Sequence, residues 1–409
     1  MKTYILNFFL FSCSLLFAQD WESVNSGTDL QLNSISFGSS DVGFIGGNDS
    51  LLLKTMDGGN TWSTQSTNGI VFSLGMPDII QVDFLDENLG FVTIGTMFYN
   101  GAVYKTTDGG ANWAQELISI CAPVKIYNFD ELNAFAIGSG CFSGKDIAKK
   151  TNGLWANSVY LSWANDYLRA IDFYDDQYGM VAGDSGTVHR TFDAGLHWDT
   201  VPTFTNHTIL DLKFVNDSTI YGTVDSLANA LMISVDSGAT WNPHMGALTF
   251  FYPSLKALTV TPYGELIAVG ETSLNGQGFL IWGMEGGGFW NYQPVDHRLH
   301  GVTMASDSVA FAVGDSGLIV RNANMDLSID ETDMVSELSF YPNPVIDVLN
   351  IEEMNATISE VLIYDTHGKL LKRIQSDFNQ IGLGDLSPGL YYISIEIDGQ
   401  LVKRKMMKK

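Results

Sequence analysis

Short runs of alternating apolar and polar residues, cut by bends rich in Gly, Asp and Ser, fill most of this chain and return in the same order every few tens of residues. Leu32-Asn33-Ser34-Ile35-Ser36-Phe37 has the two-residue period of a half-buried strand, and Gly43-Phe44-Ile45-Gly46 resumes after a polar bend. The pair recurs as Leu168 to Phe173 with Gly179-Met180-Val181-Ala182-Gly183, and as Leu299 to Met304 with Ala310-Phe311-Ala312-Val313-Gly314. Each predicts an antiparallel hairpin. A third strand ends in Lys54-Thr55, Lys105-Thr106, Lys150-Thr151 or Arg190-Thr191, and an Asp-Gly turn then leads into a fourth strand starting at a tryptophan. A unit of four short strands cannot bury both its faces alone. Such units must stack, and the closed arrangement for short strands is a propeller.

Seven tryptophans count the units: Trp21, Trp62, Trp113, Trp155, Trp198, Trp241 and Trp290, at intervals of 41, 51, 42, 43, 43 and 49 residues. Trp21-Glu22-Ser23-Val24 has no strands before it, whereas the last copy, Leu299 to Arg321, has three strands and no tryptophan. Docking the first segment onto the last blade closes the ring and removes a free sheet edge. The expected fold is all-β: a seven-bladed β-propeller over residues 20–321, a polar, acidic linker over 322–336, and a small immunoglobulin-like β-sandwich over 337–409.

The turn before the tryptophan is itself a repeated sentence. It reads Thr55-Met56-Asp57-Gly58-Gly59-Asn60-Thr61-Trp62, then Thr106-Thr107-Asp108-Gly109-Gly110-Ala111-Asn112-Trp113, then Thr191-Phe192-Asp193-Ala194-Gly195-Leu196-His197-Trp198, then Ser234-Val235-Asp236-Ser237-Gly238-Ala239-Thr240-Trp241. Two copies are worn: Thr151-Asn152-Gly153-Leu154-Trp155 is short by three residues, and Glu285-Gly286-Gly287-Gly288-Phe289-Trp290 has Glu for Asp. The octapeptide resembles the Asp-box, or BNR repeat, of sialidases, sortilin-type receptors and xyloglucanases. With Gly-Asp-Ser-Gly before strand three, the fuller pattern is similar to the propellers of photosystem II assembly factors, which are binding platforms. In such a turn the carboxylate accepts backbone N–H bonds, Gly supplies a positive φ and Trp packs between strands. Asp57, Asp108, Asp193 and Asp236 are therefore structural, as are Trp62, Trp113, Trp198 and Trp241.

Residues 1–19 carry Lys2, an apolar run from Tyr4 to Phe17 and a small residue at Ala18, the marks of a secretory signal too short to span a membrane. No later stretch is long and apolar enough for a transmembrane segment. Export makes an oxidised pair of Cys121 and Cys141 the expectation, because the two flank a predicted hairpin centred near residue 131. Closing that loop contributes about 3 kcal/mol. The net charge is −25 and it is uneven: residues 20–336 hold twelve bases against thirty-six acids, and residues 337–409 eight against ten. Nucleic acids and anionic membranes are excluded as partners on that balance.

Little in the chain points to catalysis. Gly183-Asp184-Ser185-Gly186 and Gly314-Asp315-Ser316-Gly317 imitate a serine-protease nucleophile segment, but they occupy equivalent turns between strands two and three and bring no His and Asp partners. A sialidase clamps its substrate with three arginines. The propeller owns Arg169, Arg190, Arg298 and Arg321, two of which fill the repeated basic slot before the box, so that clamp is not built. Histidines stand without metal-ligand spacing, the weak Asp296-His297-Arg298-Leu299-His300 excepted, and neither metal nor cofactor is expected. Counting four residues back from the strand-one aromatic or its substitute gives Asn33, Ile80, Lys125, Arg169, Leu210, Lys256 and His300. These face the channel mouth, where propellers bind ligands. Lys125, Arg169, Lys256 and His300, with Arg298, are the candidate ligand-binding residues, suited to an anionic ligand or a partner's carboxylates. The plainer reading of the same positions is an irregular solvated rim. Trp163, Tyr167, Phe250, Phe251 and Tyr252 in the incoming loops offer stacking surface for a glycan or peptide.

The C-terminal segment runs through Phe340-Tyr341-Pro342-Asn343-Pro344, strands around Val348 to Ile351 and Val361 to Asp365, Leu386-Ser387-Pro388-Gly389-Leu390-Tyr391-Tyr392-Ile393, and a basic end, Lys403-Arg404-Lys405-Met406-Met407-Lys408-Lys409. It resembles the type A sorting domain of type IX secretion cargo. That resemblance implies the secretion machinery as a partner of residues 337–409, and a place outside the cell or on the outer-membrane surface of a Gram-negative bacterium. The expected activity is binding of an unknown extracellular protein or glycan. A glycan-active hydrolase, sialidase-like or another glycosidase, and a structural or adhesive surface protein are the alternatives.

Overall fold

The computed structural model describes residues 21–71, 77–95, 101–117, 123–139, 145–160, 167–226, 229–244, 253–262, 264–272, 276–283, 290–323, 339–341, 345–352, 358–364, 370–376, 378, 380–387, 389–397 and 400–409. The signal segment, Cys121, Cys141, Trp163, Phe250 to Tyr252, the Glu285 turn and most of the linker lie outside these residues.

Seven four-stranded antiparallel sheets form the propeller. Blade one comprises Leu32–Phe37, Gly43–Gly47, Leu52–Thr55 and Ser63–Thr64, counted outward from the channel. Strand one of the next six blades is Asp78–Phe84, Pro123–Asn128, Leu168–Phe173, Ile209–Phe214, Pro253–Val260 and Leu299–Ser306. Each packs beside the next, and the last returns to the first. Strand two is mostly apolar because neighbouring blades cover both its faces: Gly43–Gly47, Gly179–Gly183 and Ile220–Val224 are buried at every position. In the seventh blade Glu22–Val24 supplies strand four, paired antiparallel with Ile319–Asn322 in the register Glu22 to Arg321 and Val24 to Ile319. Beside it, buried Trp21 exchanges two hydrogen bonds with Gln293 of blade six, at 3.3 and 3.0 Å.

The Asp turns do more than reverse the chain. Asp57 Oδ1 accepts from Thr55 Oγ1 at 2.8 Å and from the Thr61 N–H at 2.9 Å, and Oδ2 accepts from Thr61 Oγ1 at 2.6 Å. The hydrogen bonds from the Thr61 side chain and backbone hold its pKa down at about 2. Asp108 and Asp193 are held at the same value, first by Asn112 and by the His197 N–H respectively. Each complete turn also docks on the blade before it. A Cβ on Gly59 of blade one would stand 2.2 Å from Phe311 of blade seven, and one on Gly195 of blade four would stand 2.8 Å from Phe135 of blade three. The strand-three base opposite that contact residue, which is Phe44, Phe135, Phe311 or, in blade four, Met180, then bonds the same turn: Lys54 Nζ donates to Gly109 O at 2.9 Å, Lys149 Nζ to Ala194 O at 2.6 Å, Arg190 to Ser237 O at 3.1 Å and Arg321 to Asn60 Oδ1 at 2.5 Å. Blade three departs from the sequence expectation. Lys149, not Lys150, faces Phe135 in the ladder and fills the joint, because the shortened turn slips the register by one. Lys150 takes the buried Thr position instead, bonded to Glu131 O at 2.9 Å and Glu116 Oε2 at 2.8 Å.

The C-terminal segment folds as two antiparallel sheets. One orders Ser339–Tyr341, Val348–Glu352 and Gln380–Gly382; the other orders Leu370–Ile374, Ile358–Tyr364, Gly389–Ile397 and Gln400–Lys408. Leu349 and Ile351 from the first and Val361, Ile363, Ile393 and Ile395 from the second share one core. No helix among the described residues is long and apolar enough to cross a membrane.

Candidate functional site: the channel mouth

Strand one of every blade carries a β-bulge near its start, and the extra residue is Asn33, Ile80, Val124, Arg169, Leu210, Lys256 or His300. A bulge leaves one residue out of the ladder and re-aims its side chain. Here it sets a ring at the end of the channel where strand one begins. A cavity of about 490 Å³ lies inside strand one of all seven blades. Strand direction then fixes what surrounds each end. The turns between strands two and three stand at the mouth, and the Asp turns stand on the opposite face, where Gly58 N–H donates to Asp41 O and Gly109 N–H to Asn88 O.

Six of the seven residues expected at the mouth hold the bulge position; Lys125 does not. In blade three Asn128, not Phe129, pairs with the first residue of strand two, so Val124 is the bulge and Lys125 sits one step deeper. Phe129 misleads the count because it lies in the turn, where it packs edge-on against Phe173 with ring centroids 5.0 Å apart. From the deeper position Lys125 reaches Asp211 of blade five, two blades on.

Every candidate base is engaged by a carboxylate. Arg169 Nε lies 3.1 Å from Asp184 Oδ1, His300 Nε2 2.7 Å from Asp315 Oδ1, and Lys256 Nζ 3.5 Å from Glu271 Oε1. Arg298, on the rim outside the cavity lining, bridges Glu271 at 2.9 Å and Asp315 at 3.8 Å. In blades one, four, six and seven the bulge residue meets a polar residue near or just past the end of its own strand two. Asn33 Nδ2 donates to Asn48 Oδ1 at 3.0 Å in that role in blade one. Asp184 and Asp315 come from the Gly-Asp-Ser-Gly turns, whose Ser185 and Ser316 adopt φ of 57° and 55°. The protease-like motif therefore shapes the mouth, and its aspartates orient the bases. Arg169 also lies over the Tyr167 ring, 5.7 Å from its centroid.

Below the mouth, strand-one side chains stitch each blade to the next. Ser34 Oγ and Ser36 Oγ accept the Val82 and Phe84 N–H groups at 3.2 and 3.0 Å, Gln81 Oε1 accepts the Ile126 N–H at 2.7 Å, and Asp211 Oδ2 accepts the Leu258 N–H at 3.1 Å. Deepest are Asp83, bonded by Asn128 Nδ2 at 2.7 Å, and the Asp172–Lys213 pair at 2.9 Å. Burial opposes charge on both members of that pair. Asp172, which also accepts the Phe214 N–H at 2.8 Å, nevertheless keeps the Lys213 ammonium charged and its pKa above the usual lysine value. Burial raises the Asp83 pKa, against the Asn128 hydrogen bond and the pull of Lys213. Among the described residues no group of three or more His, Cys, Asp and Glu is placed to hold a metal.

Residues 339–409 match the family model of a secretion system C-terminal sorting domain. The photosystem II assembly lipoprotein Ycf48 of Synechococcus sp. (strain CC9902) is 22% identical over 322 residues, covering 74% of this chain and 87% of the relative. The structure of YCF48 bound to D1 peptide superposes with a TM-score of 0.59 at 19% identity, over 75% of this chain and 97% of that one. The GH74 xyloglucanase from Xanthomonas campestris gives a TM-score of 0.60 at 12% identity, over 81% of this chain and 59% of that one. The propeller is thus similar in fold to a binding protein and to an enzyme. The sorting domain directs the chain through the type IX secretion system to the extracellular space or the cell surface, and makes the secretion machinery a partner.

Proposed function

We propose that the exported propeller is a binding platform that seats a polypeptide segment of a partner across its channel mouth. One observation carries this reading: the bulged residues Arg169, Lys256 and His300 are brought to one ring around a cavity of about 490 Å³ and held there by acids of the adjoining turns. Side chains fixed in advance lose little freedom when a ligand arrives, so more of the contact energy becomes affinity. A propeller of the same fold in complex with a peptide supports a polypeptide ligand. Glycoside hydrolysis calls instead for two carboxyl groups about 5–10 Å apart, one of them a proton donor. At this mouth Asp184, Asp211, Glu271 and Asp315 are each committed to a base.

The test applies the full mature chain to a peptide array and a glycan array, with fluorogenic glycosides assayed in parallel. Selective peptide binding, changed in affinity by Arg169→Ala and Lys256→Ala at the mouth, is the expected result. Glycoside turnover would overturn the platform reading in favour of a hydrolase. Absence of binding to either array would favour an adhesive or structural surface protein.

A further inference from the structure

We infer that the mouth selects a cationic polypeptide segment, one bearing lysine or arginine, and not the anionic ligand that a ring of bases suggests; this rests on the binding-platform reading and specifies its partner. Four bases, Lys125, Arg169, Lys256 and Arg298, line or rim the mouth, and each is already engaged by Asp211, Asp184, Glu271 or Asp315. An incoming carboxylate would have to share or break one of those pairs. Three further carboxylates are held more weakly. Asp225 accepts from Ser254 Oγ at 3.1 Å and lies 3.8 Å from Lys256, whose nearer partner is Glu271, and its side chain is 53% exposed. Asp49 and Asp78 stand together where blade one meets blade two, the Asp49 N–H donating to Asp78 Oδ1 at 3.1 Å, and neither meets a base among the described residues. Asp49 is exposed, and it and Ser50 hold φ of 54° and 63°. This is the blade-one counterpart of the Gly-Asp-Ser-Gly turns, with Asn48 where the others place their base-binding aspartate. Among the described residues the most weakly engaged charge at the mouth is therefore negative on both sides of the ring.

The surroundings act in the same direction. Residues 20–336 carry a threefold excess of acids over bases. The summed field of such a body attracts cations at long range and speeds their encounter, and the engaged bases keep anionic segments from settling. A basic side chain entering beside Asp225 or the Asp49–Asp78 pair meets carboxylates that need no rearrangement. Its backbone would then cross a rim of neutral polar groups, among them Asn33 and Asn48.

Fluorescence anisotropy on the full mature chain tests this with three labelled peptides of equal length, lysine-rich, glutamate-rich and Gly/Ser-only, at two salt concentrations. The variants are a triple Asp49→Asn, Asp78→Asn, Asp225→Asn and a charge-matched control, Asp176→Asn, Asp199→Asn, Asp217→Asn, on the face of the Asp turns. Exposed charge pairs of this kind change affinity about 1.5- to 5-fold each. The mouth triple variant is expected to weaken the lysine-rich peptide by about tenfold or more and the control by less than about twofold, with tighter binding at low salt. Equal loss in both variants would show attraction to the acidic body alone and overturn the assignment to the mouth. Preference for the glutamate-rich or the neutral peptide would overturn the charge selection while leaving the platform reading intact. If no peptide binds, the platform reading itself falls, and this inference with it.

Discussion

The joint between blades seven and one gives the sharpest prediction. Gly59→Ala places a methyl group 2.2 Å from Phe311 Cζ and 2.6 Å from Cε1, at a residue whose φ is 80°. Phe311 has no room to withdraw: it is fully buried, stacked on Phe37 at 5.1 Å and edge-on to Trp62 at 6.2 Å. The left-handed backbone costs an alanine about 1 kcal/mol, and forced overpacking adds about 1–3 kcal/mol. The sum, about 2–4 kcal/mol, is a large share of a domain's net stability. Gly27→Ala separates the two contributions, because Gly27 has φ of 75° and nothing within 4 Å of the added atom. Urea unfolding followed by tryptophan fluorescence should show a loss of about 1 kcal/mol for Gly27→Ala and at least about 1 kcal/mol more for Gly59→Ala. Equal losses would refute the argument that the turn glycine exists to let one blade touch the next.

Three further outcomes follow from the same packing. Lys150→Met should cost about 3 kcal/mol, because it strips a partner from Glu116 and leaves the Glu131 carbonyl unbonded, whereas Lys149→Met loses one exposed-edge hydrogen bond worth about 1 kcal/mol; paired urea titrations measure the difference. Asp57, Asp108 and Asp193 titrate near 2 when folded against an ordinary aspartate value of 3.8, so the stability they contribute is complete above about pH 4 and disappears as pH falls through about 2. Replacing all three by Asn should flatten acid unfolding across that window. Asp83 has the opposite sign, since burial raises its pKa and the cost of its charge is present above that raised value and absent below 3.8. Asp83→Asn keeps an acceptor for Asn128 and should therefore raise the urea midpoint at pH 7, with the gain vanishing at pH 3.

The seven-bladed count is legible because one bulky residue, Trp, is required at one place per unit and little else in the chain competes with it. Strand one and strand two can be read for a related reason: half-buried and fully buried strands leave different patterns, as Leu32–Phe37 and Gly43–Gly47 do. In blade three the sequence pattern misplaces two residues by one position, Lys125 and Lys150. Both errors have one cause: alignment relies on an aromatic, Phe129, and on a turn, Asn152-Gly153, that no longer sit where the other blades keep theirs. Counting finds the bases of the mouth but not their acids. Asp184 and Asp315 look like turn residues and nothing more, and the pairing of Lys125 with Asp211 joins blades that are not neighbours, a contact to which no spacing in the chain corresponds. The sequence accordingly draws attention to the bases of the mouth and not to its less engaged carboxylates. Bases are conspicuous in an acidic chain, whereas any particular aspartate among thirty-six acids is not.

The antiparallel pairing of Glu22–Val24 with Ile319–Asn322 bears on when the proposed binding mouth is complete. Six joints of the ring link blades adjacent in sequence; the seventh links the two ends of the propeller. Closing a loop several times longer than one blade costs about 1–2 kcal/mol more in chain entropy, and contacts of such separation form late. His300 and Arg298 belong to that last blade, so the ring of mouth residues is complete only after the first three strand residues have docked. The proposed competence is thus tied to a segment outside the mouth itself. Shortening the mature chain by the few residues around Trp21 should silence the mouth as effectively as mutating it, and a chain still open at this joint would be inert toward its partner until the ring shuts.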